Sequence, residues 1–564
     1  MQASVDNDIQ TLFANGLLWC YGFHHEEAQR HFQQLLLKDR ENLLGLWGLA
    51  YASAPFYNRP WCWFTNKQKV RVAKRGHSCI EKALTAQNNT ESQICVDLIH
   101  ALSALFRSPI PASDEVFIEY QCEYADRMVA LLQRYPDHAD ITTLTVEALL
   151  NCTPWQLWDT GSRSKAIGSR VNEALELLQP LLADTHPDHA HPGVLHLHIH
   201  ALEMSPYPEA AANSAEKIRQ LVVATRSQDK TRQTDSVKAP ASLFPPHLPH
   251  MASHIDVLRG DYRKTIDINR IAADADTQLA VADGEFYQIS RLHNVHMLLY
   301  AAMMAGRHAD AVDARQRLES LATSFYASDS APFLKVSIEG FFANRLHASV
   351  RFGSWKAILQ ETENSSNNKN YNAMHSLPFA SAMQSYTVGV ALANSAEPHK
   401  AETELEHFRQ LRSAVPNWYL INNNPARDIL AVAELMLTGE HHYHLGNIEE
   451  GLDYLRNAVD ACDRLAYCEP RAWMHPPRHA LGALLLEHNQ LDEAKQVYET
   501  DLGFNGLLSR CQQNPKNIWA LQGLVECYER LSENVNDEIQ QQQRIALAYA
   551  DIPVTNSCFC RSSS

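Results

Sequence analysis

The sequence predicts an all-α fold made of a long series of paired helices. Small and aromatic residues recur at the same offsets near both ends of the chain, as Gly16, Ala28 and Phe32 and then as Gly482, Ala494 and Tyr498. Small residues at such offsets let two helices cross closely, and the aromatic ring fills the space beside the crossing. The alternating apolar pattern that indicates β-strands is nearly absent.

Glycines between these two regions indicate further helix pairs. Gly260-Asp-Tyr262 and Gly306-Arg-His308 are typical of the tight turn that joins two helices. Gly48 and Gly523 are additional candidates for helix crossings. The spacing is that of the tetratricopeptide (TPR) unit, two antiparallel helices in about 34 residues. We therefore expect one continuous TPR-like α/α solenoid over residues 1–550.

Three segments lack apolar periodicity. Residues 227–242 and 361–371 are polar, and we expect them to form surface loops inserted between repeats. Residues 551–564 contain Cys558-Phe-Cys560 and end in serines, and we expect a flexible tail.

Composition excludes several classes of function. The 564 residues have a formal net charge of −16, which argues against a nucleic-acid or anionic-membrane partner. No apolar run is long enough to span a membrane, and we expect no secretory signal. The 12 cysteines are scattered, as in proteins of a reducing compartment, so a cytoplasmic location is expected.

Histidine is concentrated in the middle of the chain, where 12 of the 28 histidines lie between residues 186 and 308. Three motifs begin or occupy predicted helices: His196-Leu-His198-Ile-His200-Ala-Leu-Glu203, His247-Leu-Pro-His250-Met-Ala-Ser-His254 and His293-Asn-Val-His296. Side chains three or four residues apart share one helix face. Counted from the turn glycines, most of these residues occupy the repeat positions that face the concave groove of a TPR superhelix. His198 is the exception, and we expect it to serve in packing.

This constellation predicts a metal site in the groove, because imidazole and carboxylate groups are common ligands of transition metals. The predicted ligands are His200, Glu203, His250, His254, His293 and His296. The expected cofactor is a divalent transition metal, namely Fe, Cu, Mn or Zn, and Glu203 is also the candidate catalytic base. Residues expected to support the metal ligands or to contact a substrate are His196, His247, Glu147, Tyr57, Trp155 and His479. Histidines expected on the solvated surface are His24, His25, His441, His442 and His444.

The histidine motifs resemble those of a family of bacterial and fungal TPR-like proteins, mostly without assigned function. The shared landmarks are His200-Ala-Leu-Glu203, His247-Leu-Pro-His250-Met-Ala-Ser-His254, His293-Asn-Val-His296 and the aromatic segments Tyr57-Asn-Arg-Pro-Trp61 and Pro154-Trp-Gln-Leu-Trp158. The resemblance covers almost the whole chain. It implies a TPR-like fold but supplies no established reaction.

Two functions are compatible with this sequence. The first is a metal-dependent enzyme that acts on a small molecule, with oxidation favoured over hydrolysis because so many imidazoles converge. The second is a non-catalytic scaffold that binds a peptide or protein partner in the same groove. Peptide-carboxylate clamps use Lys, Arg and Asn at the groove positions, whereas this chain has mostly His and Glu there. The groove residues therefore favour the enzyme.

Overall fold

The computed structural model describes residues 2–86, 92–232, 244–279, 285–326, 332–361, 369–395 and 397–561. The chain divides into two compact units, Met1–Ile255 (unit 1) and Asp256–Ser564 (unit 2). Helices make up almost all the regular structure of the described residues, and many consecutive helices pack against one another. The predicted all-α fold of TPR-like helix pairs is confirmed.

Unit 1 contains ten helices and the first part of an eleventh among its described residues: α1 (Gln2–Tyr21), α2 (His25–Lys38), α3 (Leu43–Tyr51), α4 (Asn66–Ala86), α5 (Gln93–Leu102), α6 (Asp114–Arg134), α7 (Ala139–Leu150), α8 (Val171–Leu182), α9 (Pro192–Glu203), α10 (Ala212–Arg232) and α11 (His247–Leu258). The strands β1 (Trp158–Asp159) and β2 (Ser164–Lys165) form a small antiparallel hairpin.

The described residues of unit 2 contain α12 (Tyr262–Asp276), α13 (Tyr287–Met304), α14 (His308–Tyr326), α15 (Pro332–Asn344), α16 (Leu346–Arg351), α17 (Trp355–Glu361), α18 (Lys369–His375), α19 (Pro378–Ala393), α20 (Ala401–Ala414), α21 (Ala426–His444), α22 (Ile448–Asp463), α23 (Pro477–Glu487), α24 (Leu491–Leu502), α25 (Ile518–Leu531) and α26 (Asp537–Tyr549). A second hairpin pairs β3 (Leu420–Ile421) with β4 (Asn424–Pro425).

The crossing of helices α1, α2 and α3 explains the repeat spacing in unit 1. The Phe32 ring is fully buried on α2 and lies between Gly16 of α1 and Gly48 of α3. A Cβ atom would lie 2.6 Å from this ring at Gly16 and 2.4 Å from it at Gly48, closer than real Cβ contacts allow. Both glycines are therefore required by the approach of the aromatic ring.

The same device recurs in unit 2. The Tyr498 ring of α24 lies between Gly482 of α23 and Gly523 of α25, where a Cβ atom would come within 2.4 and 2.2 Å of the ring. Gly260 and Gly306, predicted as turn residues, have φ values of +71° and +66°, a conformation that glycine adopts without steric cost. These repeat positions were predictable because the packing is local along the chain.

Two polar segments differ from the predicted loops where they can be described. Helix α10 continues to Arg232, so residues 227–232 are helical, and the rest of the segment up to residue 242 lies outside the described residues. In the second segment, residue 361 ends α17 and residues 369–371 belong to α18. Residues 362–368 lie outside the described residues.

The C-terminal segment predicted to be a flexible tail is packed within unit 2. Val554, Ser557, Cys558 and Cys560 are buried, and the structure pairs the two cysteines as a disulfide. The buried guanidinium of Arg351 donates to the carbonyl oxygen of Ser557 at 2.7 Å. The sequence did not indicate this packing, because its contacts are made by single side chains and by the backbone and leave no helical periodicity.

Among the described residues, no helix combines the length and the apolar character needed to cross a membrane.

Candidate functional site

The candidate site in unit 1 is built by α9 and α11, which supply histidines, and by three loops that cover them. His191 caps the N-terminus of α9 by accepting from the backbone N–H of Val194, and Pro192 starts the helix. The side chains of His196, His200 and Glu203 then follow at intervals of four and three residues and are completely buried. His247 and His254 of α11 are buried beside them.

A hydrogen-bonded chain links His200, Glu203 and His254 and continues to His250 of α11. Nδ1 of His200 lies 2.9 Å from Oε1 of Glu203, and Nδ1 of His254 lies 2.7 Å from Oε2 of the same carboxylate. Because an ionised carboxylate can only accept, both Nδ1 atoms donate. Nε2 of His254 is then the acceptor for Nε2–H of His250, at 2.8 Å. The carboxylate of Glu203 therefore fixes the tautomers of two imidazoles.

A second group of three imidazoles also contains His200, which belongs to the hydrogen-bonded series as well. His196, His200 and His247 each offer one ligand atom, and these atoms all lie within 4.8 Å of one another. Each ring also has a buried nitrogen without a hydrogen-bond partner: Nε2 of His196, Nε2 of His200 and Nδ1 of His247. Buried polar atoms in native proteins almost always have partners, so three such atoms in one place are able to bind a water molecule, an ion or another ligand.

The hydrogen bonds around this group leave nitrogen lone pairs available. Nδ1 of His196 lies 2.5 Å from the carbonyl oxygen of Tyr21, so it donates and Nε2 has the lone pair. Nδ1 of His200 likewise donates, to Glu203, so the lone pair of His200 is on Nε2. Nε2 of His247 lies 3.5 Å from the amide nitrogen of Asn58, and the amide oxygen of Asn58 is buried without a hydrogen-bond partner. If the Asn58 amide is turned by 180°, its oxygen accepts from Nε2–H of His247, and Nδ1 then has the lone pair.

Burial keeps these imidazoles neutral. It lowers the pKa of His196 to about 3 and the pKa of His200 to about 4, in the second case against the charge of Glu203, which acts to raise it. Burial and the neighbouring imidazoles also lower the pKa of His247 well below its usual value. Neutral imidazole is the form that binds metals, so no proton has to be displaced at physiological pH.

Aromatic side chains enclose the group. The Phe23 ring lies over His196, His200 and His247, with centroid distances of 4.3, 5.5 and 5.9 Å. Tyr57 and Trp155, which were predicted as site residues, both pack against the ring of His200, with ring-centroid distances of 4.7 and 6.2 Å. Phe23 has a φ of +53° in the turn between α1 and α2. Nothing in the sequence marked it, since its role depends on where that turn lies.

This enclosure corrects the expectation that the histidines line an open groove. The side chains of His196, His200, His247, His250 and His254 are at most 2% exposed. The register placed them correctly on one side of their helices, but the loops that contain Phe23, Tyr57 and Trp155 cover that side. His24, His25 and His441 were expected on the surface and are also buried.

His198 was expected to serve in packing. Its Nδ1 lies 2.8 Å from the hydroxyl oxygen of Ser214 on α10. It is half-buried and takes no part in either group. It is therefore an internal control for the role of α9 histidines.

Three predicted site residues belong to unit 2 and are described with that unit. His293 and His296 lie on α13, where His293 is half-buried and His296 fully buried. Nε2 of His296 lies 3.1 Å from the amide nitrogen of Asn344 and 3.0 Å from the sulfur of Met474.

The third of these residues, His479, has both ring nitrogens engaged in hydrogen bonds. Its Nδ1 lies 2.9 Å from Arg351 and its Nε2 lies 2.9 Å from Asp501. The imidazole thus links a buried cation to a buried anion within unit 2, which is a structural role.

Glu147, the remaining candidate, lies on α7 away from the imidazole group. It accepts a hydrogen bond from the hydroxyl of Tyr51 and lines a small cavity with Tyr124 and Asn151. A series of ring contacts runs from Tyr51 through His25, Phe56 and Phe23 to His196. Glu147 belongs to none of the groups of described residues whose ligand atoms lie within 4.8 Å of one another.

Comparisons with known proteins add little to this picture. No protein-family model matches the chain, and no curated protein matches it significantly. Among solved structures, the APC/C hetero-tetramer Cut9–Hcn1 aligns with 95% of this chain and 89% of its own, at 11% identity and a TM-score of 0.26. The structure of Naa15/Naa10 bound to HypK-THB aligns with 93% of this chain and 68% of its own, at 10% identity and a TM-score of 0.22. The fold assignment therefore rests on the helix pairs and glycine crossings of the chain itself.

Proposed function

We propose that the protein binds one divalent transition-metal ion in unit 1, through His196, His200 and His247, and that this ion serves a reaction of a small molecule. The observation that supports the proposal most directly is the convergence of three buried, neutral imidazoles, each with an unpartnered nitrogen. Ligand nitrogens around a tetrahedral ion are about 3.3 Å apart, given bonds of ~2.0–2.1 Å. The ligand atoms of the three residues lie within 4.8 Å of one another, so binding an ion requires them to move closer together.

A second ligand set, His200, Glu203 and His254, also has its ligand atoms within 4.8 Å of one another. We favour the three imidazoles because the atoms of the second set already satisfy one another by hydrogen bonds of 2.7 and 2.9 Å. Glu203 then holds the ring of His200 in place from behind, as carboxylates do in many metal sites. His250 and His254 extend this support.

Three imidazoles leave a coordination position open, and an all-nitrogen set suits Zn, Cu or Fe better than Mn. Bound there, the ion would supply Lewis acidity, or redox chemistry if it is Fe or Cu. The chain's contribution is to keep the imidazoles neutral and to exclude water by Phe23, Tyr57 and Trp155. Trp155 is the most exposed of the three side chains, so we infer that a substrate enters beside it.

Elemental analysis of the purified protein tests the proposal, with His→Gln variants that preserve side-chain volume. Wild-type protein should contain close to one equivalent of a transition metal. His200→Gln and His247→Gln should lose it, whereas His198→Gln, on the same helix but bonded to Ser214, should retain it. Refilling the metal-free protein with Co²⁺ should give the visible absorption of a four-coordinate ion. Wild-type protein with under about a tenth of an equivalent, before and after refilling, would contradict the proposal.

A further inference from the structure

A cavity in unit 1 beside Glu147 is separate from the imidazole group. It lies between the C-terminus of α3 and helices α6 and α7. Its polar lining consists of Tyr51, Gln121, Tyr124, Glu147 and Asn151, and its other walls are apolar. The enclosed space takes one group of about the size of a water molecule.

The charge of Glu147 is not compensated by the protein. Its side chain is 4% exposed, and it has no ion-pair partner in the part of the chain that the structure describes. Its hydrogen bonds come from the neutral side chains of Tyr51 and Asn151. Burial raises its pKa to about 7, because these two donors offset only part of the desolvation. A buried carboxylate of this kind is stabilised most by a cation.

Two further lining atoms lack partners. The hydroxyl oxygen of Tyr124 and Oδ1 of Asn151 are buried and form no hydrogen bond, and their side chains are 5% and 8% exposed. Oδ1 of Asn151 can only accept, and a phenol oxygen can accept. The cavity is therefore rich in acceptors and negative potential.

We propose that this cavity binds the ammonium group of a small primary amine. An –NH3⁺ group is about as large as a water molecule and has three N–H donors. They match the carboxylate of Glu147, the amide oxygen of Asn151 and the hydroxyl oxygen of Tyr124. A quaternary ammonium group is too large and has no donor, and a neutral alcohol does not compensate the charge. The site contains none of the proposed metal ligands, so it is independent of the metal proposal.

Calorimetric titration of the full-length protein at about pH 8, where a carboxyl of this pKa is mostly ionised, tests the inference. Methylammonium and ethylammonium should bind saturably with one site per chain. Tetramethylammonium and methanol should not bind, and K⁺, which has the charge but no N–H donors, should bind more weakly than either amine. Equal binding of methanol, or of K⁺, would overturn the assignment. A titration with no saturable heat from either amine would show that the cavity holds only water, and this would overturn it as well.

Two variants show whether the heat comes from this cavity. Glu147→Gln keeps the shape of the side chain and should weaken amine binding by ~10-fold or more, as expected when a charged hydrogen-bond partner is lost. Tyr124→Phe removes one acceptor and should weaken it less, and it provides a second test if the first variant fails to fold. Glu339→Gln alters another buried carboxyl, in unit 2, and should leave the affinity unchanged. Unchanged affinity in both Glu147→Gln and Tyr124→Phe would overturn the inference.

Discussion

Oε2 of Glu203 lies 2.7 Å from Nδ1 of His254, although the two residues are 51 positions apart on different helices. The other oxygen of the same carboxylate accepts from His200. One buried anion thus orients an imidazole on α9 and an imidazole on α11. This explains why a glutamate stands three residues after His200. Both oxygen atoms of its carboxylate accept a hydrogen bond from an imidazole.

The role of Glu203 as an orienting residue predicts the behaviour of Glu203→Gln. An amide can accept from only one of the two Nδ1–H groups, so the ring of His200 loses its fixed tautomer in part of the molecules. We expect metal affinity to fall by about 10- to 100-fold while one equivalent still binds at saturation. Competition with a chelator measures this change. Complete loss of binding capacity would instead make Glu203 a ligand.

Replacing His254 discriminates between the two ligand sets. His254→Gln removes a member of the set that contains Glu203 but leaves His196, His200 and His247 in place. We expect the variant to bind one equivalent with weakened affinity, whereas His247→Gln should bind none. The reverse result would move the ion to His200, Glu203 and His254. Far-UV circular dichroism of both variants provides the control for folding.

The stability of unit 2 should depend on the ionisation of Glu440. Burial raises its pKa from 4.5 to about 7, although Asn394 and the charge of Arg351 act to lower it. A raised carboxyl pKa means that its contribution to stability is fully present below about pH 4.5 and is lost as the pH rises through about 7. Relative to Glu440→Gln, the wild type should therefore lose up to about 3 kcal/mol over this interval.

Urea unfolding of both proteins at a series of pH values measures this difference. Glu434→Gln serves as a control, because its expected effect on stability at neutral pH has the opposite sign. Arg409 and Arg412 bond to Glu434 and lower its pKa, so this replacement should destabilise the protein at neutral pH. A Glu440→Gln variant whose stability parallels that of the wild type at every pH would contradict the assignment.

Removing the C-terminal segment should destabilise unit 2. A chain that ends at Thr555 lacks the carbonyl oxygen of Ser557, which accepts from buried Arg351 at 2.7 Å. Loss of one hydrogen bond to a buried charge costs about 1.5–3 kcal/mol, and exposure of the surface under Cys558 and Cys560 adds to it. A chain that ends at Arg561 keeps these contacts and should unfold like the full-length protein.

Adding a methyl group at the helix crossing of unit 1 should also destabilise the fold. Gly48→Ala places a Cβ atom 2.4 Å from the ring of Phe32, and overpacking of this kind costs about 1–3 kcal/mol. Gly161→Ala is the matched control, because its nearest neighbour would lie 3.4 Å away. Equal stability of the two variants in urea would show that the crossing is looser than the structure indicates.

The sequence by itself determined the helical-repeat fold, because the contacts that define it are local. Gly16 and Phe32 belong to adjacent helices, and their spacing directly reflects the crossing between them. The sequence also determined which histidines share a helix face, since that follows from helical periodicity alone. It correctly set His198 apart from His196 and His200 for the same reason.

Only the tertiary structure decided what surrounds those histidines. The carbonyl of Tyr21 and the ring of Phe23 reach His196 from a turn more than 170 residues earlier in the chain. Such contacts leave no periodic signal, so an open groove was predicted where the structure has an enclosed site. Burial in turn sets the neutral state of the imidazoles, because removing water penalises the charged form. The helix faces that carry these histidines were thus predictable, and the environment of the side chains was not. Of the proposed ligands, only His200 was predicted as one, whereas His196 and His247 were expected to support the site.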